Sequence, residues 1–160
     1  MFYLCSLGSN ITPEQHVPNA VEELIRHFST PIRFSSFLYT EPCNIDSSKL
    51  FVNSLFEFTT EQSACEVKAF FNQLEETHGR DRSDPQRSIK DRALDLDIIS
   101  YSQQRTHLDE AEVPDYLKGL YQELNDKNSL NGPFFRFTLA GKHLKLGDRA
   151  TTVHSNASPC

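Results

Sequence analysis

Apolar and polar positions along this chain follow two rhythms, one with a period near 3.6 residues and one with a period of 2. Residues 2–7 form a short apolar run closed by Gly8-Ser9-Asn10, which predicts a buried strand and a turn. Val17, Ala20, Val21, Leu24, Ile25 and Phe28 then recur at helical spacing, with Pro18 expected in the first turn. Pro31 closes that helix, and residues 32–39, with Phe34, Phe37, Tyr39 and the β-branched Ile32, predict a second strand. Residues 41–48 are polar with a proline, which is loop chemistry. Residues 51–59 alternate as a third strand, with Val52, Ser54, Phe56 and Phe58 on one face and Phe51, Asn53, Leu55 and Glu57 on the other. Ser63-Ala64-Cys65-Glu66 has the form of a capping box. The helix it opens buries Val67, Phe70, Phe71 and Leu74 and stops at Gly79. Residues 93–100 give a fourth strand, with Leu94, Leu96 and Ile98 facing the core and Asp95 and Asp97 on the opposite face.

The order β-α-β-β-α-β predicts an α+β fold, a ferredoxin-like sandwich in which both helices cover one face of an antiparallel sheet. The other face is expected to be free to carry a site. From residue 103 the pattern weakens to a hairpin, a short helix over 116–124, a strand or packing segment over 134–139 and a loose tail over 151–160. The expected organisation is one unit over 1–160, with a core of 1–101, an appended segment of 102–150 and that tail.

Composition narrows the function classes. A formal net charge of −6 argues against a general nucleic-acid binder, whose affinity rests on neutralising phosphates. The sheet also lacks the paired aromatic platform of a ferredoxin-like RNA binder. No apolar run reaches the roughly 20 residues that cross a bilayer, and the first residues do not form a signal peptide. Cys5, Cys43, Cys65 and Cys160 are scattered and contain no Cys-x-x-Cys pair, so reduced thiols and a cytoplasmic setting are expected.

The charge is unevenly placed. Arg80, Arg82, Arg87, Lys90 and Arg92 crowd one stretch against Asp81, Asp84 and Asp91, an arrangement suited to gripping a small polyanion. Just beyond it, Asp95 and Asp97 share one face of a strand about 7 Å apart. Two such carboxylates repel each other unless a cation lies beside them, and magnesium completed by substrate phosphates is the usual partner. Phe51 and Asn53 occupy the helix-free face, where an exposed ring and an amide suit a flat heterocycle.

Taken together, these pieces resemble the 6-hydroxymethyl-7,8-dihydropterin pyrophosphokinase family over about residues 1–116. The resemblance rests on Gly8-Ser9-Asn10, Thr40 and Pro42, Phe51-Val52-Asn53, Glu75, Gly79-Arg80-Asp81-Arg82 and Arg92-Ala93-Leu94-Asp95-Leu96-Asp97-Ile98. It implies a ferredoxin-like fold and transfer of pyrophosphate from ATP to a pterin alcohol in folate biosynthesis. It also implies that Asp95 and Asp97 bind two magnesium ions, and that Arg80, Arg82 and Arg92 handle phosphate as catalytic residues. Glu75, Arg82, Arg92 and Asp115 would border ATP, and Thr40, Pro42, Phe51 and Asn53 would hold the pterin. ATP and the pterin are the expected partners, with no nucleic acid or membrane, and the protein is expected to be a monomer. The chain departs from the family at Ile89-Lys90-Asp91, where Gly-Pro is usual, and at Asp115, where the family has histidine. Lys118-Gly119-Leu120-Tyr121 stands where an arginine followed by an aromatic normally comes. The alternative these departures leave open is a catalytically impaired paralogue that binds a pterin or nucleotide.

Overall fold

A computed structural model describes residues 1–42, 48–87, 89–127, 129–141 and 143–155. Five of the strands form one continuous sheet path: β1 (Phe2–Ser9), β2 (Ile32–Phe34), β4 (Phe51–Thr59), β5 (Asp95–Ser102) and β8 (Thr151–Val153). β3 (Leu38–Thr40) adds a sixth strand by pairing with β4. The order β5-β1-β4-β2-β8 is antiparallel throughout. Setting β8 aside, it is the fourth-first-third-second arrangement of a ferredoxin-like sheet, so the α+β expectation holds.

Helix α1 (Pro13–Phe28) buries Val17, Ala20, Val21, Leu24, Ile25 and Phe28, the stripe its spacing predicts. It begins earlier than expected, with Pro13 in the first turn, so Pro18 lies inside the helix and forgoes one backbone hydrogen bond. Helix α2 (Ala64–Thr77) is capped by Ser63, whose hydroxyl accepts from the Glu66 amide at 3.2 Å. Val67, Phe71 and Leu74 pack beneath it against Tyr3, Leu7, Phe56 and Leu96, each burial contributing about 1.5–3 kcal/mol. Phe70 is only half-buried and stacks under His27 with ring centroids 3.6 Å apart.

Four expectations are corrected. The second strand is broken into β2 and β3, because Ser35 and Ser36 divert its backbone. The Ser35 hydroxyl takes the Leu55 amide at 2.8 Å. Ser36 donates its amide and its hydroxyl to the buried carboxylate of Glu123, at 2.6 and 2.5 Å. Secondly, the helix-free face is covered. Leu108, Val113, Leu117, Leu120 and Leu124 close over Leu4 and Leu55 as a second core. These residues come from 3₁₀ turns at Arg105–His107, Glu110–Glu112 and Asp115–Leu117 and from α3 (Lys118–Leu124), where a hairpin was expected after residue 103. Thirdly, the region after residue 133 forms a small β6–β7 hairpin (Phe137–Leu139 and Leu144–Leu146), whose Phe137 meets Phe37 edge-on. Lastly, the expected loose tail contributes β8, which pairs with β2 through Ile32, Arg33 and Phe34.

Cys43 and Cys160, together with most of the 41–48 loop and the end of the tail, lie outside the described residues. Cys5 is buried and Cys65 exposed. Among the described residues, no helix is long and apolar enough to cross a membrane.

Candidate active site

The site forms where β1 and β5 end beside the α2 C-terminus. Helix α2 stops in a Schellman motif. Gly79 adopts φ 99°, its amide donates to the Glu76 carbonyl at 3.0 Å, and the Arg80 amide donates to the Glu75 carbonyl at 3.1 Å. The positive φ is what requires glycine here. This stop turns the chain so that Arg80 reaches Asp95, with Nη1 donating to Oδ1 at 3.3 Å. Arg92 approaches the same carboxylate from the other end of the arginine loop, donating to Oδ2 at 2.7 Å. The loop therefore closes on one residue, and Asp95 is neutralised by two guanidiniums.

Asp97 projects further out, its side chain 55% exposed, with Lys68 Nζ at 3.6 Å. Partial desolvation and the Asp95 charge raise its pKa above the ordinary carboxylate value. Glu75 lies on the inner side of this cluster at 3% exposure. One of its oxygens accepts the Leu96 amide at 2.8 Å, and the other accepts from Arg82 in a close ion pair. β5 is an edge strand, so this carboxylate satisfies a backbone donor that the ladder leaves open. Burial pushes the Glu75 carboxyl up to about 7, against the lowering influence of Leu96, Arg80 and Arg82. Arg82 also donates to the Asn72 side chain at 2.6 Å.

The expected heterocycle slot adjoins this cluster through β1. Gly8 pairs with Asn53 on one side and with Asp95 on the other. A Cβ at Gly8 would stand 2.9 Å from Asn53 Oδ1, 3.7 Å from the Phe51 ring and 3.9 Å from Asp95 Cβ. Asn53 Nδ2 donates to Thr40 Oγ1 at 2.6 Å. Thus Thr40, Phe51, Asn53, Arg80, Arg92, Asp95 and Asp97 converge, with Glu75 and Arg82 behind them. Phe51 and Asn53 are each only 7% exposed, a correction to the exposed ring expected from the strand pattern. Pro42 is half-buried at the end of the described segment.

Asp115 is not brought to this group. Its side chain is 96% exposed and ion-paired to Lys118 at 3.0 Å, and it lines neither of the two cavities beside the site. One cavity, about 300 Å³, lies under the arginine loop between His78, Arg80, Lys90 and Arg92. The other, about 750 Å³, runs between α2 and β5 from Lys68 and Asn72 past Ile98 to Asp109 and Glu112.

Against this geometry, a sequence profile for 7,8-dihydro-6-hydroxymethylpterin-pyrophosphokinase (HPPK) matches residues 4–122. The chain belongs to the HPPK family. A search of curated proteins gives no match. The HPPK assignment agrees with the sheet order and covers every expected site residue from Thr40 to Asp115. Lys68 and Asn72 were not singled out in the sequence, yet both touch the site. The signal was their spacing, because Lys68, Asn72 and Glu75 stand at i, i+4 and i+7 on the α2 face that meets β5.

Proposed function

We propose that this HPPK-family chain transfers pyrophosphate from ATP to 6-hydroxymethyl-7,8-dihydropterin and releases AMP. The observation that carries this reading is the position of Gly8, flanked in register by Asn53 and Asp95. It brings Phe51 and Asn53 beside the carboxylate–arginine cluster, so a pterin held at the first would present its hydroxymethyl arm to phosphates held at the second. The Asn53–Thr40 pair offers polar groups in a nearly water-free slot, with the Phe51 ring alongside.

Asp95 and Asp97 are hard oxygen donors suited to magnesium, and their mutual charge favours a cation. Among the described residues no cluster of three His, Cys, Asp or Glu gathers for a metal, so phosphate and water oxygens would complete the shell. Magnesium, when bound, would neutralise triphosphate charge. Among the described residues the buried Arg80 Nε has no hydrogen-bond partner, which supports a role as donor to a phosphate oxygen. In the reaction the pterin hydroxyl would give up its proton to water as its oxygen bonds to the β-phosphorus, the bond from that phosphorus to the α,β-bridging oxygen would break, and AMP would leave with the bridging oxygen. Arg80, Arg82 and Arg92 stabilise the charge that develops, so positioning and electrostatics supply most of the rate.

The solvent position of Asp115 and the burial of Leu117, Leu120 and Leu124 favour a second reading, a pterin- or nucleotide-binding protein without turnover. Incubation with ATP, magnesium and the pterin alcohol separates the two. AMP and pterin diphosphate in equal amounts are expected, binding without AMP supports the second reading, and failure to bind either ligand overturns both.

A further inference from the structure

Asn10 lies at the end of β1, 3% exposed, and is tied to the far end of the arginine loop by three hydrogen bonds. Its amide donates to the Arg92 carbonyl at 2.8 Å, and its Oδ1 accepts the Arg92 amide at 2.6 Å. Its Nδ2 donates to Asp91 Oδ1 at 2.9 Å. The orientation of the side-chain amide is forced, because the Arg92 N–H is a donor only and must face the oxygen, leaving the NH₂ for the Asp91 carboxylate.

The arginine loop thus has two fixed posts. One is the Schellman stop at Gly79, which sets Arg80. The other is Asn10, which sets Arg92. Both guanidiniums then meet on Asp95. Asn10 follows β1 directly, two residues after Gly8, which lies between Asn53 of β4 and Asp95 of β5. We propose that Asn10 is a positioning residue for phosphoryl handling, holding the Arg92 backbone so that its guanidinium stays over Asp95, in fixed register with the heterocycle slot. This rests on the function proposed above only for its kinetic consequence; the clasp itself is read without any ligand.

The test uses Asn10→Ala, Asn10→Asp and the pair Asn10→Asp with Asp91→Asn. Asn10→Asp keeps an acceptor for the Arg92 amide but sets a carboxylate against Asp91. The paired variant restores one donor and one acceptor with their polarity reversed. Hydrogen exchange of the peptide carrying Arg92 is expected to speed up in both single variants and to recover in the pair. Affinity for magnesium with α,β-methylene-ATP, and kcat where there is turnover, are expected to fall about tenfold or more in the single variants, because small misplacements of a charge-stabilising group are costly. Pterin affinity should stay within about twofold of the parent, since the three Asn10 hydrogen bonds run to Asp91 and Arg92 and not to Thr40, Phe51 or Asn53. Unchanged exchange at Arg92 in Asn10→Asp overturns the proposal whether or not the protein is an enzyme. Equal weakening of both ligands with a lowered Tm also overturns it, as a purely structural role. Faster exchange with no recovery in the pair overturns the donor–acceptor account. An absence of AMP in the parent protein, with the exchange pattern as expected, removes the catalytic reading and leaves the clasp standing.

Discussion

Glu75 is nearly fully buried, yet its carboxylate serves a backbone amide on one oxygen and Arg82 on the other. Its pKa stands at about 7 in the folded chain against an ordinary 4.5, so the native state holds this proton more tightly than the unfolded chain does. Stability from this source is complete below the unfolded value, declines as pH rises through about 7, and is flat above it. At about 1.4 kcal/mol per unit, the rise from 4.5 to about 7 corresponds to about 3 kcal/mol. Asp97, whose pKa is also raised, pulls in the same direction. Asp81 and Asp84 have lowered values through their hydrogen bonds to Ser83 and Lys90, so they act at more acid pH, whereas His16, whose pKa is lowered by burial and by His78, offsets part of the fall below about pH 6.5.

Urea unfolding followed by circular dichroism at intervals from pH 5 to 8 is expected to show the midpoint falling steadily. In Glu75→Gln, where the oxygen facing Leu96 is kept and the titrating proton is gone, most of that slope should vanish. A parent midpoint that stays level or rises over the window would falsify the reasoning, because it would mean that Arg82 and the Leu96 amide hold the carboxylate ionised throughout. A slope that survives unchanged in Glu75→Gln would assign it to another group.

Two further outcomes follow from the geometry. Gly8→Ala sets a methyl 2.9 Å from an Asn53 oxygen whose amide is locked to Thr40, an overpacking that costs about 1–3 kcal/mol; pterin affinity measured by calorimetry should drop at least tenfold, and a change under twofold would place the heterocycle elsewhere. Asp115→His should alter magnesium–ATP affinity less than twofold at any ionic strength, because the side chain is 96% exposed and paired only with Lys118; a gain of threefold or more at low salt would bring this position back beside the nucleotide.

The parts of the fold legible in the sequence were those set by local rhythm. The α1 stripe, the bounds of β4 and the alternation that separates Asp95 and Asp97 from Leu96 all follow from side-chain periodicity within one element. The break after Phe34 was not legible, because the acceptor that makes it favourable, Glu123, lies 87 residues further along the chain. The cover over the second face escaped for a related reason. Leu108, Val113, Leu117, Leu120 and Leu124 sit on 3₁₀ turns and a seven-residue helix, which leave no single period to detect. Phe51 was mistaken for exposed, whereas its neighbourhood with Thr40 follows from the pairing of β3 with β4. For β8, the β-branched run Thr151-Thr152-Val153 was the available signal, too short to outweigh its position near the chain end.

The charge balance at Asp95 and Asp97 changes what the pair implies. Read from the sequence, two same-face carboxylates call for a cation to relieve their repulsion. In the folded chain Arg80 and Arg92 neutralise Asp95, and Lys68 stands beside Asp97. The arginines are largely buried, with side chains 14% and 16% exposed, so Asp95 is their counter-charge as well as the ligand proposed for a metal ion. On the proposed function, triphosphate and cation then arrive as an exchange. Arg80 and Arg92 would turn from Asp95 to phosphate oxygens, Asp95 would be the residue to hold the cation, and each buried charge would keep a partner. The backbones of both arginines are held in the folded chain, Arg80 by the helix stop at Gly79 and Arg92 by Asn10.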